Sequence, residues 1–319
     1  MRLSTSQIFN SGTLGIQNRQ YDLYKVQQQM STGRRILSPE DDPIGASQAL
    51  QVNQSKGVNA QFLKNIGDAT SKLNLLDSTL DGVGQELLEI FDRAVQAGNG
   101  TYSESQRGMI AVELKQRMST LISLANTKDG TGLYIFAGYK SSTQPFQVDP
   151  AATPPYALDS GTRVGYSGDG GVEALQVSGS RIVATSENGL DVFMQVRDAQ
   201  GNPTGRSMFD SLQNMIDILD PASGIPFTTA GYDQVLNDTS AAIAHLSTVR
   251  ASVGARLQSL ESMATTANDN DYLYQVRLSE LQDLDYVDAI SQLARLQLQL
   301  EAAQLSFKQT SQLSLFNIL

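Results

Sequence analysis

The chain has 319 residues, a formal net charge of −10 from 23 Lys+Arg against 33 Asp+Glu, 40% hydrophobic residues, no Cys, no Trp and one His. That composition excludes disulfides, thiol nucleophiles, Cys-ligated metals and multi-histidine zinc sites. An acidic balance also argues against a nucleic-acid partner, because neutralising a phosphate backbone takes clustered cations.

The first helical stretch covers about residues 4–30, where Phe9, Ile16, Leu23 and Met30 recur every seven residues. Gly12, Arg19 and Val26 follow the first three by three positions, so the seam is thin. Gly12 and Gly15 each cost such a helix about 1 kcal/mol relative to Ala, and a helix this marginal calls for a partner. Gly33, Pro39 and Pro43 then break the pattern across Ser31-Thr32-Gly33-Arg34-Arg35-Ile36-Leu37-Ser38-Pro39-Glu40-Asp41-Asp42-Pro43. Pro43 after two aspartates marks a new helix start. Within this helix Phe62, Ile66, Ala69, Leu73, Leu76, Leu80, Val83, Leu87, Ile90 and Ala94 alternate steps of four and three, a bundle or coiled-coil signature.

Gly98-Asn99-Gly100 ends that helix, and Ser103 with Gln106 forms a capping box for another carrying Ile110, Leu114, Leu121 and Leu124. From Gly132 the texture turns to strand: a β-rich run, Leu133-Tyr134-Ile135-Phe136, then short β-like pieces at 163–166, 173–177 and 181–185 between turn residues. Residues 141–206 read as a small β domain inserted between helices. A short amphipathic helix at 208–219 leads back out. The final hundred residues resume the 4/3 rhythm through Leu236, Ile243, Leu246, Arg250, Val253, Leu257, Leu260, Ala264 and Ala267, then Leu293, Leu296, Leu300, Ala303 and Phe307.

The two ends share an unusual chemistry. Residues 1–33 carry four charges and six Gln, and residues 286–319 carry the same numbers. Gln hydrogen-bonds across a packed face without the desolvation cost of a buried charge. Leu298, Leu305, Leu313, Leu315 and Phe316 add apolar surface off the main seam, which a monomer should not leave in water. Terminal helices of this kind suit packing on several sides in a polymer. No apolar run nears the ~18 residues of a membrane span, so no membrane insertion is expected, and the Met1-Arg2-Leu3 start lacks the apolar core of a cleavable leader.

These residues resemble the flagellin and hook-associated protein family of bacterial flagella. The resemblance rests on Met1-Arg2-Leu3-Ser4-Thr5-Ser6-Gln7-Ile8-Phe9, on the turn from Gln29 to Pro43, on Arg250-Ala251-Ser252-Val253-Gly254-Ala255-Arg256 and on Asp283-Leu284-Asp285-Tyr286-Val287-Asp288-Ala289-Ile290. Gly132-Leu133-Tyr134-Ile135-Phe136-Ala137-Gly138 places the chain nearer the hook-associated side than flagellin proper. The resemblance implies a mainly α, folded-back long-helix bundle with an inserted β domain. Residues 1–42 with 286–319 would form an inner coiled-coil domain, 43–140 with 207–285 a helical bundle, and 141–206 an outer β-rich domain. It further implies a structural adaptor at the hook–filament junction, exported unfolded by the flagellar type III route.

Its implied partners are the first hook-associated protein, flagellin, a flagellar export chaperone and copies of itself in a ring. The candidate assembly interface comprises Phe9, Ile16, Leu23, Met30, Arg34, Arg35, Asp41, Asp42, Leu293, Leu296, Leu300 and Phe307. The candidate chaperone face comprises Leu298, Leu305, Leu313, Leu315 and Phe316. Before assembly the ends are expected to be largely disordered and to fold on joining the tip. Flagellin itself, a bulk filament subunit, is the second reading, and an enzyme grafted into 141–206 a third that no residue supports.

No cofactor, metal or catalytic residue is expected. Gly138-Tyr139-Lys140-Ser141 imitates the end of a phosphate loop, but Tyr139 separates Gly from Lys. Asp269-Asn270-Asp271 lacks the Gly and distant Glu of a calcium loop, and reads as a polar helix face. His245, at helical spacing beside Ile243 and Leu246, reads as a packing residue. Arg34 and Arg35 opposite Asp41 and Asp42 are expected to make local salt links in the turn, each worth no more than about 1 kcal/mol.

Overall fold

The computed structural model describes residues 5–198 and 200–312. They fall into two compact units, one of Met1–Ala60 with Asn268–Leu319 and one of Gln61–Ala267. Among the described residues there are six α-helices: α1 (Thr5–Thr32), α2 (Pro43–Ala97), α3 (Glu104–Ala125), α4 (Met208–Leu219), α5 (Thr229–Gln282) and α6 (Tyr286–Gln312). Among the described residues the mainly helical architecture with a small inserted strand region is as the sequence implies.

Local chemistry sets the helix ends. Asp42 caps α2, its Oδ1 accepting the Gly45 N–H at 2.9 Å while Pro43 opens the first turn. The box expected at Ser103 and Gln106 is present in both directions. A second, not expected, lies at Ser207 and Asp210 at the head of α4.

The larger unit is built on the α2 stripe. From Ile66 to Ala94 every residue of the 4/3 series is buried, with Phe62 half-buried at its start. Leu114 and Leu121 of α3, Phe209, Leu212 and Met215 of α4, and Leu246, Val253 and Leu260 of α5 join the same core. Helix α5 is clamped to α2 by Arg250, 3.2 Å from Asp77 and 2.7 Å from Asp81. Arg117 of α3 reaches Glu86 of α2 at 3.2 Å. The Tyr232 hydroxyl of α5 donates to the Ala94 carbonyl, and burial drives its pKa up.

Four three-residue strands form two antiparallel pairs. β1 (Phe146–Val148) pairs with β2 (Val164–Tyr166), Phe146 facing Tyr166, and β3 (Ala174–Gln176) pairs with β4 (Ile182–Ala184), Ala174 facing Ala184. Aromatic rings hold this region onto the bundle: Phe146 lies 5.1 Å from Phe193 and 5.4 Å from Phe209, and Phe136 meets Phe193 edge-on at 5.0 Å. The 133–136 run is not a strand. It is a turn with one bridge, Lys128 to Tyr134, because Asp129 draws the Thr131 and Leu133 N–H groups into a local loop before a ladder can start. Strand β1 lies ten residues beyond it.

His245 is half-buried, with Nε2 2.8 Å from the Asp191 carbonyl oxygen, in the packing place read from its spacing. The 269–271 segment is helical, as a polar face requires.

Leu80 is fully buried in the α2 stripe and Leu88 of the same helix is half-exposed. Leu80→Ala is expected to lower unfolding stability by about 2–5 kcal/mol, and Leu88→Ala by about 0.5 kcal/mol or less. Urea unfolding followed by circular dichroism gives both values.

Candidate assembly interface

Everything in the smaller unit depends on bringing the chain's ends together, and α1 and α6 pack against each other to do so. Facing α6, α1 buries Val26 to 6% exposure and half-buries Ile16, Leu23 and Met30. From α6 come Ala289, buried, and Leu293, Leu296, Leu300 and Phe307, half-buried. Phe9 and Phe307 meet at 5.0 Å between ring centres, although Phe9 stays 52% exposed. Gly12, counted as a cost in the sequence, makes room for this contact: a Cβ there would stand 2.6 Å from the Phe307 ring. The eight apolar residues read as an interface thus line the two packed helices.

Two turns close the pair. Gly33 ends α1 with φ +69°, a left-handed cap that favours glycine. The next residues form a short backbone ladder with the α5–α6 turn. Arg35 N–H donates to the Gln282 carbonyl at 2.7 Å, Leu284 N–H to the Gly33 carbonyl at 3.0 Å, and Arg34 bridges Asp283. The Tyr286 hydroxyl donates to the Met30 carbonyl at 3.2 Å, and the Gln29 amide to the Arg35 carbonyl at 2.6 Å. Asp285 starts α6 by accepting the Val287 and Asp288 N–H groups.

The expected salt links are redistributed. Arg35 does reach Asp42, at 3.4 Å, and also donates to the Leu281 carbonyl at 2.8 Å. Asp41 instead pairs with Lys25 at 2.6 Å and accepts the Leu37 and Ser38 N–H groups. Among the described residues the Arg34 side chain joins neither aspartate; these are taken by Lys25 and Arg35, while the Arg34 backbone bridges Asp283. Lys25, Gln29 and Tyr286 were missed as joint residues, since their partners lie 6 to 256 positions away and no spacing advertises them. Asp285 carried a signal, an Asp just before an apolar periodic run.

Behind the seam, a second stripe faces water. On α1 it comprises Leu14, Tyr21 and Tyr24; on α6 it comprises Val287, Leu298 at 68% exposure and Leu305 at 59%. Their spacing continues through Gln17 and Gln28, and through Ser291, Ala294 and Ala302, in steps of three and four. Leu313, Leu315 and Phe316 lie outside the described residues.

Aligned end to end, the chain is 32% identical over 330 positions to flagellar hook-associated protein 3 of Escherichia coli K12, covering 100% of this chain and 99% of that one. The chain belongs to the flagellar hook-associated protein 3 family. Its Salmonella typhimurium counterpart is 31% identical over 331 positions, with the same coverage of both chains. The family model for the bacterial flagellin N-terminal helical region matches residues 3–141. Solved structures agree in fold: a hook-associated protein 3 from Legionella pneumophila at TM-score 0.62, 22% identity, covering 72% of this chain and 98% of its own, and FlgL of Xanthomonas campestris at 0.59, 18% identity, covering 72% and 99%. Membership in the hook-associated protein 3 family gives the chain a structural adaptor role in the flagellum.

The joint has a definite pH signature. The hydrogen bond from Lys25, aided by the Ser38 and Leu37 N–H groups, holds the Asp41 carboxyl below its ordinary 3.8, and the same bond raises Lys25 above its ordinary 10.5. The pair therefore stabilises the turn fully between those ordinary values. Its contribution goes as pH falls through the lowered carboxyl pKa or rises through the raised lysine pKa. Lys25→Ala is expected to move the Asp41 carboxyl midpoint up toward 3.8, read by carbon NMR titration. An unmoved midpoint would show that Lys25 does not hold the turn.

Proposed function

We propose that this chain is the adaptor at the hook–filament junction, joining the first hook-associated protein on one side to flagellin on the other as a ring of copies. The reading is supported by end-to-end identity with hook-associated protein 3 and carried by one observation: α1 and α6 each bear two apolar stripes, one spent on the other helix and one left to water. In the assembled junction the second stripes would pack on neighbouring subunits, burying apolar surface that a lone molecule exposes. Residues 1–42 with 286–319 would be the inner domain, 43–140 with 207–285 the middle and 141–206 the outermost. The contact is head-to-tail and mechanical, with no chemical step, so it can follow the helical lattice.

Export as an unfolded chain to the exterior suits the lack of Cys. An export chaperone would grip Leu298 and Leu305 on the exposed back of α6, together with the apolar residues Leu313, Leu315 and Phe316 that follow in the sequence, covering them until secretion.

The test is a strain lacking the protein. Hooks without filaments, and flagellin shed into the medium, are expected. Hooks with no flagellin made anywhere would identify the chain as the filament subunit, and normal filaments would contradict the adaptor reading. In that strain Leu298→Asp with Leu305→Asp is expected to fold with stability changed by no more than about 0.5 kcal/mol per site, yet restore no filaments. Full swimming with that variant would show the outward stripe to be idle.

A further inference from the structure

An asparagine followed by glycine is the step at which a protein chain most readily attacks itself, because glycine sets no side chain beside its own amide nitrogen. The chain holds two such steps, Asn99-Gly100 and Asn188-Gly189, both in the larger unit. The first lies in the turn from α2 to α3, and the second opens a single π-helical turn, Leu190–Met194. Folding treats the two in opposite ways.

At the first step the reacting groups are open to water. Asn99 and Gly100 are both exposed, and a Cβ on Gly100 would meet nothing within 4 Å. The Gly100 N–H has no hydrogen-bond partner among the described residues. The Asn99 side chain turns along the chain, its Oδ1 accepting the Thr101 N–H at 3.2 Å and the Thr101 hydroxyl at 3.1 Å. That oxygen gathers negative charge when a nitrogen adds to the Asn99 Cγ, so both donors stand where an oxyanion needs them. At the second step the groups are locked. Asn188 is 5% exposed, its Nδ2 donates to Asp191 Oδ2 at 2.6 Å, and its Oδ1 accepts the Asp191 N–H at 2.7 Å. The Gly189 N–H is spent on the Phe136 carbonyl at 2.9 Å, and a Cβ on Gly189 would stand 2.6 Å from the Phe146 ring. Attack there would first have to break that bond inside the aromatic core.

We propose that Asn99 is a self-modifying site, deamidated through Gly100 and Thr101 with water as the co-reactant. The Gly100 nitrogen gives its proton to hydroxide and bonds to the Asn99 Cγ. The Cγ–Nδ2 bond then breaks, and Nδ2 takes a proton from water and leaves as ammonia. This closes a five-membered succinimide, an intramolecular attack favoured by proximity. Water opens the ring at Cγ to give aspartate, or at the main-chain carbonyl to give isoaspartate; nothing is oxidised or reduced. The Thr101 hydroxyl steadies the charge on Oδ1 while the nitrogen adds. The new carboxylate stands between the end of α2 and the Ser103 box that starts α3.

The test is to hold the full folded chain in mildly alkaline buffer and follow both steps by peptide mass spectrometry. Asn99 is expected to convert to aspartate and isoaspartate, with ammonia released in equal amount, while Asn188 stays asparagine. Thr101→Val removes the hydroxyl and keeps the branched side chain. It is expected to slow the conversion by about three- to tenfold, the fold-change for one lost hydrogen bond. Thr101→Ser, which restores the hydroxyl, is expected to keep the original rate. Thr101 is exposed in the turn, so neither variant is expected to lower the thermal midpoint. An Asn99 as inert as Asn188 in the folded chain, or a Thr101→Val rate equal to the original, overturns the proposal. None of these outcomes bears on filament assembly, so the adaptor reading stands or falls separately.

Discussion

The fold of the smaller unit depends on one constraint: residues near the two ends of a 319-residue chain must lie side by side. Neither α1 nor α6 has a seam rich enough to stand alone. Together they bury Val26 and Ala289 and half-bury the flanking leucines, with Phe307 seated over Gly12 where a side chain would not fit. The ladder between residues 33–35 and 282–284 fixes the register of the pair, since a slip would break both backbone hydrogen bonds and the Tyr286 contact together. Loop closure over so long a span is entropically costly, so the joint is built from many small bonds rather than one ion pair.

The larger unit solves a different problem. Its continuous stripe from Ile66 to Ala94 is filled from three other helices, and the strands are short and tied on by aromatic contacts. A core this complete leaves little apolar surface uncovered. Of the 24 large hydrophobic residues exposed among those described, fifteen belong to the smaller unit. Holding shape and offering contact are therefore divided between the units, as an adaptor requires.

Much of this was legible in the sequence because it is periodic or local. The 4/3 stripe of α2, the Ser103 box, the start at Pro43 and the bounds of α4 all announce themselves within a few residues. The strands at 164–166, 174–176 and 182–184 fall within the short β-like pieces. What was hidden is long-range. The Lys25–Asp41 pair, the Tyr286–Met30 bond and the clamp of Arg250 on Asp77 depend on folding-back. The 133–136 run misled because β propensity is overridden where Asp129 gathers the backbone into a turn. Gly12 was read as a flaw because a glycine's use is visible only once Phe307 is beside it.

The most direct measurement of the α1–α6 pairing is disulfide trapping. The chain has no Cys of its own, so Phe9→Cys with Phe307→Cys gives an unambiguous pair. Oxidised on intact flagella, this variant is expected to form a closed, monomer-sized species with no dimer. Interchain dimers alone, or no disulfide, would contradict the account, because the ends would then not be paired within one chain where it works.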